Sequence, residues 1–141
     1  MKTNLLSLIL LIVVLFSTTT LEAQQLVEKS KNNYVVLTKK VPQLEPIILT
    51  AEALKKEDGQ NFGDFQIIIC GIGIGDITDP EKISDFIEKA EKAGVRIIAC
   101  GFSLHKFKID ETKVPKEIEV VENGILYNFQ LQKQGYISLS L

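Results

Sequence analysis

Residues 95–107 read VRIIACGFSLHKF, and upstream residues 65–71 read FQIIICG. Each is a short apolar run, with one polar residue, that closes on a cysteine followed by glycine. Near-continuous hydrophobicity, unlike strict alternation, marks a strand covered on both faces, as in a parallel sheet lined by helices. The segment between the two runs carries helix signals. Thr78 or Asp79 can cap its start, Pro80 suits the first turn, and Glu81 completes a capping box with Thr78. Ile83, Phe86, Ile87 and Ala90 form the apolar stripe, and Gly94 supplies the left-handed stop. Strand, helix, strand is therefore the central unit.

The same grammar extends outward in both directions. Asn33–Thr38 is a β-branched and aromatic run and predicts a strand. Leu44, Ile47, Ile48, Ala51 and Leu54 recur at helical spacing, predicting a helix over 43–56 with Pro46 confined to its first turn. Ser103–Phe107 predicts one or two helical turns, and residues 117–121 (EIEVV) alternate as a strand. A helix follows over 123–134 with Ile125, Leu126 and Phe129 facing inward, stopped by Gly135. Residues 136–141 alternate strictly, with Ile137, Leu139 and Leu141 on one face of an edge or half-exposed strand. Alternating strands and helices joined by right-handed crossovers give a mostly parallel sheet of about five strands between helical layers. The expected fold is one three-layer α/β/α domain of Rossmann-like topology.

The start of the chain sets the expected compartment. Lys2 precedes an apolar run from Leu5 to Phe16, and a polar stretch then leads to Leu21-Glu22-Ala23. This is the layout of a signal peptide over 1–23, cleaved after Ala23. The run falls short of the roughly 20 apolar residues of a membrane span, although an uncleaved anchor is the alternative. No cysteine near the cleavage point offers a lipid attachment. Residues 24–33 read as a flexible leader, leaving 34–141 as the folded domain in the periplasm or secreted, with no membrane association after cleavage. The net charge is −2, and no basic run is interleaved with aromatics, so nucleic acid is set aside as a partner.

Two cysteines, Cys70 and Cys100, are too few for a disulfide scaffold. Both close a strand at the carboxyl rim of the sheet, where ligands gather in such folds. Gly71 and Gly101 let the chain turn sharply there, and Gly73 lets a ligand approach the backbone. A helix starting near Ser103 would aim free N–H groups at Cys100, which stabilises a thiolate, a persulfide or a bound anion. Cys100 is thus the candidate nucleophile, open to solvent at the rim, with Cys70, Gly71, Gly73, Gly101 and Ser103 shaping a pocket. Buried structural cysteines are the competing reading, and a Cys70–Cys100 disulfide is a third.

Other motifs carry less. GIGIGD at 71–76 has Asp76 where a dinucleotide fingerprint needs its third glycine, so no nucleotide cofactor is expected; a nest of N–H groups is the better reading. His105 is the only histidine and no ligand spacing suggests a metal. Asp76 and Asp79 read as turn and cap residues. Tyr127 and Tyr136 suit an interface, and the 123–134 helix has more apolar surface than one core stripe needs, which points to self-association.

The segments VRIIACGFSL (95–104) and EVVENGILYNFQLQKQGYISL (119–139), within residues 34–141, resemble the DsrE/DsrF-like family. The resemblance implies a compact α/β subunit assembled as a homo-oligomer, commonly a trimer or hexamer. It also implies a persulfide-bearing cysteine at the strand end matching Cys100, working with a sulfur-donor or acceptor protein. The export signal and the segment GFSLHKFKID differ from the cytoplasmic relay members. What carries over is therefore thiol or sulfur handling as a class.

Overall fold

The computed structural model describes residues 31–141. The expected signal peptide and residues 24–30 of the expected leader lie outside the described residues. From there the chain forms strand β1 (Asn32–Thr38), helix α1 (Leu44–Asp58), β2 (Phe62–Ile69), α2 (Pro80–Ala93) and β3 (Val95–Cys100). The short helix α3 (Gly101–Lys106), β4 (Glu119–Val121), α4 (Gly124–Lys133) and β5 (Ile137–Ser140) complete it. All five strands are parallel, in the order β4-β3-β2-β1-β5. Among the described residues no helix is long and apolar enough to cross a membrane.

The apolar runs take the centre of the sheet. Ile67, Ile68 and Ile69 on β2 are wholly buried, so both faces of that strand are covered. Each such side chain contributes about 1.5–3 kcal/mol relative to exposure, which is why these runs settle in the middle. From β1 to β4 the chain crosses the sheet in one direction; α4 then carries it back to β5, beyond β1. Right-handed crossovers in opposite directions put α1 and α2 on one face and α4 on the other. Accordingly α1 packs on α2 and β2, whereas α4 lies over β1, β2 and β3.

Register brings the cysteines together. Gln66 pairs with Arg96, Ile68 with Ile98 and Ile69 with Ala99. One further step sets Cys70 opposite Cys100, and alternation gives both side chains to the face that holds Gln66, Ile68 and Ile98. That is the α4 face.

Several local expectations need correction. Asp79 caps α2 by accepting the Glu81 N–H at 3.1 Å, while the Thr78 hydroxyl donates to the Gly75 carbonyl, so the capping box with Thr78 does not form. Residues 72–78 are a 3-10 helix that buries Ile74 and Ile77, more than the turn expected there. α3 begins at Gly101, two residues ahead of Ser103. On α4 the inward residues are Gly124, Asn128 and Leu131, and Ile125, Leu126 and Phe129 are each more than half exposed. The reason is steric: Gly124 is seated on the two cysteines, which fixes the rotation of the helix and turns its apolar stripe outward. Gly94 does stop α2 at φ 74°, and β5 is an edge strand with Ile137 and Leu139 exposed.

Candidate functional site

The carboxyl rim of β2 and β3 holds a closed thiol pair. Cys100 is 2% exposed and Cys70 6% exposed, and both are free thiols. The expectation of a sulfur open to solvent at position 100 is therefore not met. The cover is the first residue of α4. A Cβ built on Gly124 would lie 2.8 Å from the Cys70 sulfur and 3.0 Å from the Cys100 Cβ, so only glycine fits there. This residue was not singled out from the sequence.

The cover is polar. The Gly124 N–H donates to Cys100 Sγ at 3.3 Å, and Asn123 caps the same helix by accepting the N–H groups of Ile125 and Leu126. α4 thus presents an unpaired first-turn N–H and the positive end of its dipole to the sulfur. Ser103, in the first turn of α3, is buried close by. Its hydroxyl oxygen accepts the Gly71 N–H at 2.9 Å.

These contacts divide the two thiols. Burial works against a Cys100 thiolate, but Ser103, Gly124 and the Cys70 thiol together hold its pKa below the ordinary thiol value. Cys70 goes the other way: burial first, then the neighbouring Cys100, push it up to about 12, with Lys39 opposing weakly. Cys100 ionises first and Cys70 keeps its proton. Hydrogen bonds to the charged form outweigh desolvation at one sulfur and not at the other.

The remaining candidates divide in the same way. Gly71 holds φ 76° and feeds its N–H to Ser103, so it supports the pair. Gly101 packs against the end of β4, where a Cβ would meet the Val121 carbonyl oxygen at 3.0 Å. Gly73 is elsewhere: a Cβ there would strike the Lys39 carbonyl oxygen, so its glycine serves a backbone crossing and not the thiol pocket. His105 lies on the outer side of α3, in a cleft of about 370 Å³ lined also by Gly101, Phe102, Glu111, Val120 and Glu122. That cleft begins at the residue after Cys100, and neither cysteine lines it.

A second polar cluster sits lower on the same sheet face. Asp64 accepts from Arg96, from Gln66 at 2.6 Å and from the Tyr136 hydroxyl at 2.6 Å, and Tyr127 donates to Gln66 Oε1 at 2.9 Å. The two tyrosines expected at an interface are tied into this network. Its groups satisfy one another, and it ties β2 and β3 to α4 and to the chain entering β5.

No family model matches the chain, and no curated protein matches it in sequence. Solved structures share the architecture. A protein of unknown function from Methanobacterium thermoautotrophicum, MTH1491, is similar at TM-score 0.60 with 15% identity, covering 79% of this chain and 100% of its own. A conserved protein of unknown function from Bacteroides thetaiotaomicron, BT1422, is similar at TM-score 0.57 with 18% identity, covering 77% of this chain and 95% of its own. At such identity the likeness is one of fold.

Proposed function

We propose that this is an exported thiol protein that accepts and hands on sulfur at Cys100. The carrying observation is the Gly124 N–H on the Cys100 sulfur at 3.3 Å, with Ser103 and a protonated Cys70 beside it. Such a site stabilises the Cys100 thiolate that attacks the donor, because the Gly124 N–H points at the sulfur that carries the charge. The resemblance of residues 95–104 and 119–139 to DsrE/DsrF-like proteins supports the same chemistry. In this reading, the Cys100 thiolate attacks a sulfane sulfur of the donor, one S–S bond breaks, and the shortened donor leaves with the electron pair. Because Cys100 is closed in the resting state, the first turn of α4 moves aside when the donor arrives.

The outward stripe Ile125, Leu126 and Phe129 supports assembly into a homo-oligomer, since exposed apolar clusters mark contact surfaces. It flanks the cover residue Gly124, so assembly and access to the thiols are linked through α4.

Treating the full chain with inorganic polysulfide, alkylating and mapping the adducts tests the proposal. One extra sulfur is expected to stay on Cys100 in Cys70→Ala, where no neighbouring thiol displaces it. In the wild type it is expected on Cys100 or, once displaced, as released sulfide with a Cys70–Cys100 disulfide, and never on Cys70. A different reading rests on the burial of both sulfurs: an assembly module with structural cysteines. It predicts no added sulfur on either residue, together with a Cys100→Ser variant that folds and assembles unchanged.

A further inference from the structure

The two thiols have more in common than a wall. Cys70 directly follows the last residue of β2 and Cys100 ends β3, and extending the register one step past the Ile69–Ala99 pair sets them opposite each other. Neighbouring strands lie about 4.8 Å apart, inside the Cα separation of about 4.4–6.8 Å that a disulfide spans. Distance alone would leave the side-chain directions open. Gly124 fixes them, because its Cβ position abuts the Cys70 sulfur and the Cys100 Cβ at once. Both side chains therefore face Gly124, whose N–H also reaches the Cys100 sulfur at 3.3 Å.

From this juxtaposition we infer that Cys70 is the resolving thiol of Cys100, and that the site undergoes reversible disulfide exchange with small external disulfides. The inference rests on the reading of Cys100 as the nucleophile. In the first step the Cys100 thiolate attacks one sulfur of a disulfide RSSR; the reagent S–S bond breaks and RS⁻ leaves. In the second, RS⁻ takes the Cys70 proton, and the Cys70 sulfur attacks the Cys100 sulfur. The mixed disulfide breaks and a second RS⁻ leaves, taking a proton from solvent. Two protein thiols are oxidised by two electrons and RSSR is reduced to two RSH. A persulfide on Cys100 follows the same course: Cys70 attacks the Cys100 sulfur and the outer sulfur leaves as sulfide. Discharge thus has a route that needs no acceptor thiol.

The raised proton affinity of Cys70 suits this order. A resolving thiol that stays protonated at rest does not compete for the incoming reagent, and the mixed disulfide removes the Cys100 charge that, after burial, helps hold its proton.

Oxidised glutathione is the probe. The native full chain is incubated with it, quenched in acid, alkylated after denaturation and weighed intact. The wild type is expected to end two hydrogens lighter, with both alkylation sites lost and reduced glutathione restoring them. Cys70→Ala is expected to stop at one glutathione on Cys100, and Cys100→Ser to take none. A wild type that accumulates the Cys100–glutathione adduct without the two-hydrogen loss overturns the resolving role while leaving Cys100 reactive. Thiols that both stay inert in the native wild type, yet react once unfolded, overturn that role and the nucleophile reading together. Both outcomes are read on the wild type, so neither depends on the variants folding.

Discussion

The backbone N–H of Gly124 points at the sulfur of Cys100 from 3.3 Å. The contact is made by the one residue type that can stand there, since any Cβ would press on the Cys70 sulfur. Glycine is thus required by the contact and not by its backbone angles, and the cover doubles as the donor.

Substituting the cover tests this directly. Gly124→Ala places a methyl 2.8 Å from Cys70 Sγ and from the Ile68 methyl. Overpacking of this kind costs about 1–3 kcal/mol. Urea unfolding is expected to show that loss, against the small gain that alanine brings to a helix elsewhere.

The thiols also predict how stability follows pH. Cys100 ionises more readily folded than unfolded, so its contribution to stability is present above the ordinary thiol value of 9.0 and is lost as pH falls through its lower folded value. Cys70 holds its proton to about 12 when folded, but releases it near 9.0 when unfolded. Between those values the folded state binds more protons, so stability declines as pH rises. Urea midpoints for wild type and Cys70→Ala across that window should converge as the wild type loses ground.

A different pH limb belongs to Asp64. Burial raises its pKa, but the hydrogen bonds from Arg96, Tyr136 and Gln66 prevail and hold the carboxyl below its ordinary 3.8. Its contribution is complete above 3.8 and is lost as pH falls through the lower folded value. Asp64→Asn removes a charged acceptor from buried Gln66 and should cost about 1–3 kcal/mol at neutral pH. Acid titration of the variant should show a flatter low-pH limb than that of the wild type.

The outward face of α4 gives a test of assembly. Leu126→Glu combined with Phe129→Glu alters only exposed positions, where substitutions stay within about 0.5 kcal/mol for a monomer. Light scattering is expected to show a smaller species than wild type, with the far-ultraviolet spectrum retained. An unchanged mass would remove α4 as the contact surface.

Much of this architecture was legible in the sequence because it is written locally. The runs 65–70 and 95–100 announce buried strands, Asp79 and Gly94 bracket a helix, and a cysteine closing each run falls on the rim by topology. What could not be read has partners far away in the chain. Asp64 meets Tyr136, 72 residues on, and no local pattern signals the network. Gly124 meets Cys100 across 24 residues, although Asn123-Gly124 at a helix start was a usable cap signal. The rotation of α4 runs against its hydrophobic pattern, which alone would turn Ile125, Leu126 and Phe129 inward. Here the inner face carries Gly124 and Asn128, Asn128 bonding Ser138 at 2.9 Å, and the apolar residues face out.

In the proposed function Cys100, and not Cys70, is the reactive thiolate. Alkylating the native full chain with iodoacetamide across a pH series, and mapping each cysteine separately, tests it most directly. Labelling confined to Cys100, with a midpoint below the ordinary thiol value that moves upward in Ser103→Ala, is the predicted result. Labelling of Cys70 first, or of neither residue until the protein is unfolded, would contradict it.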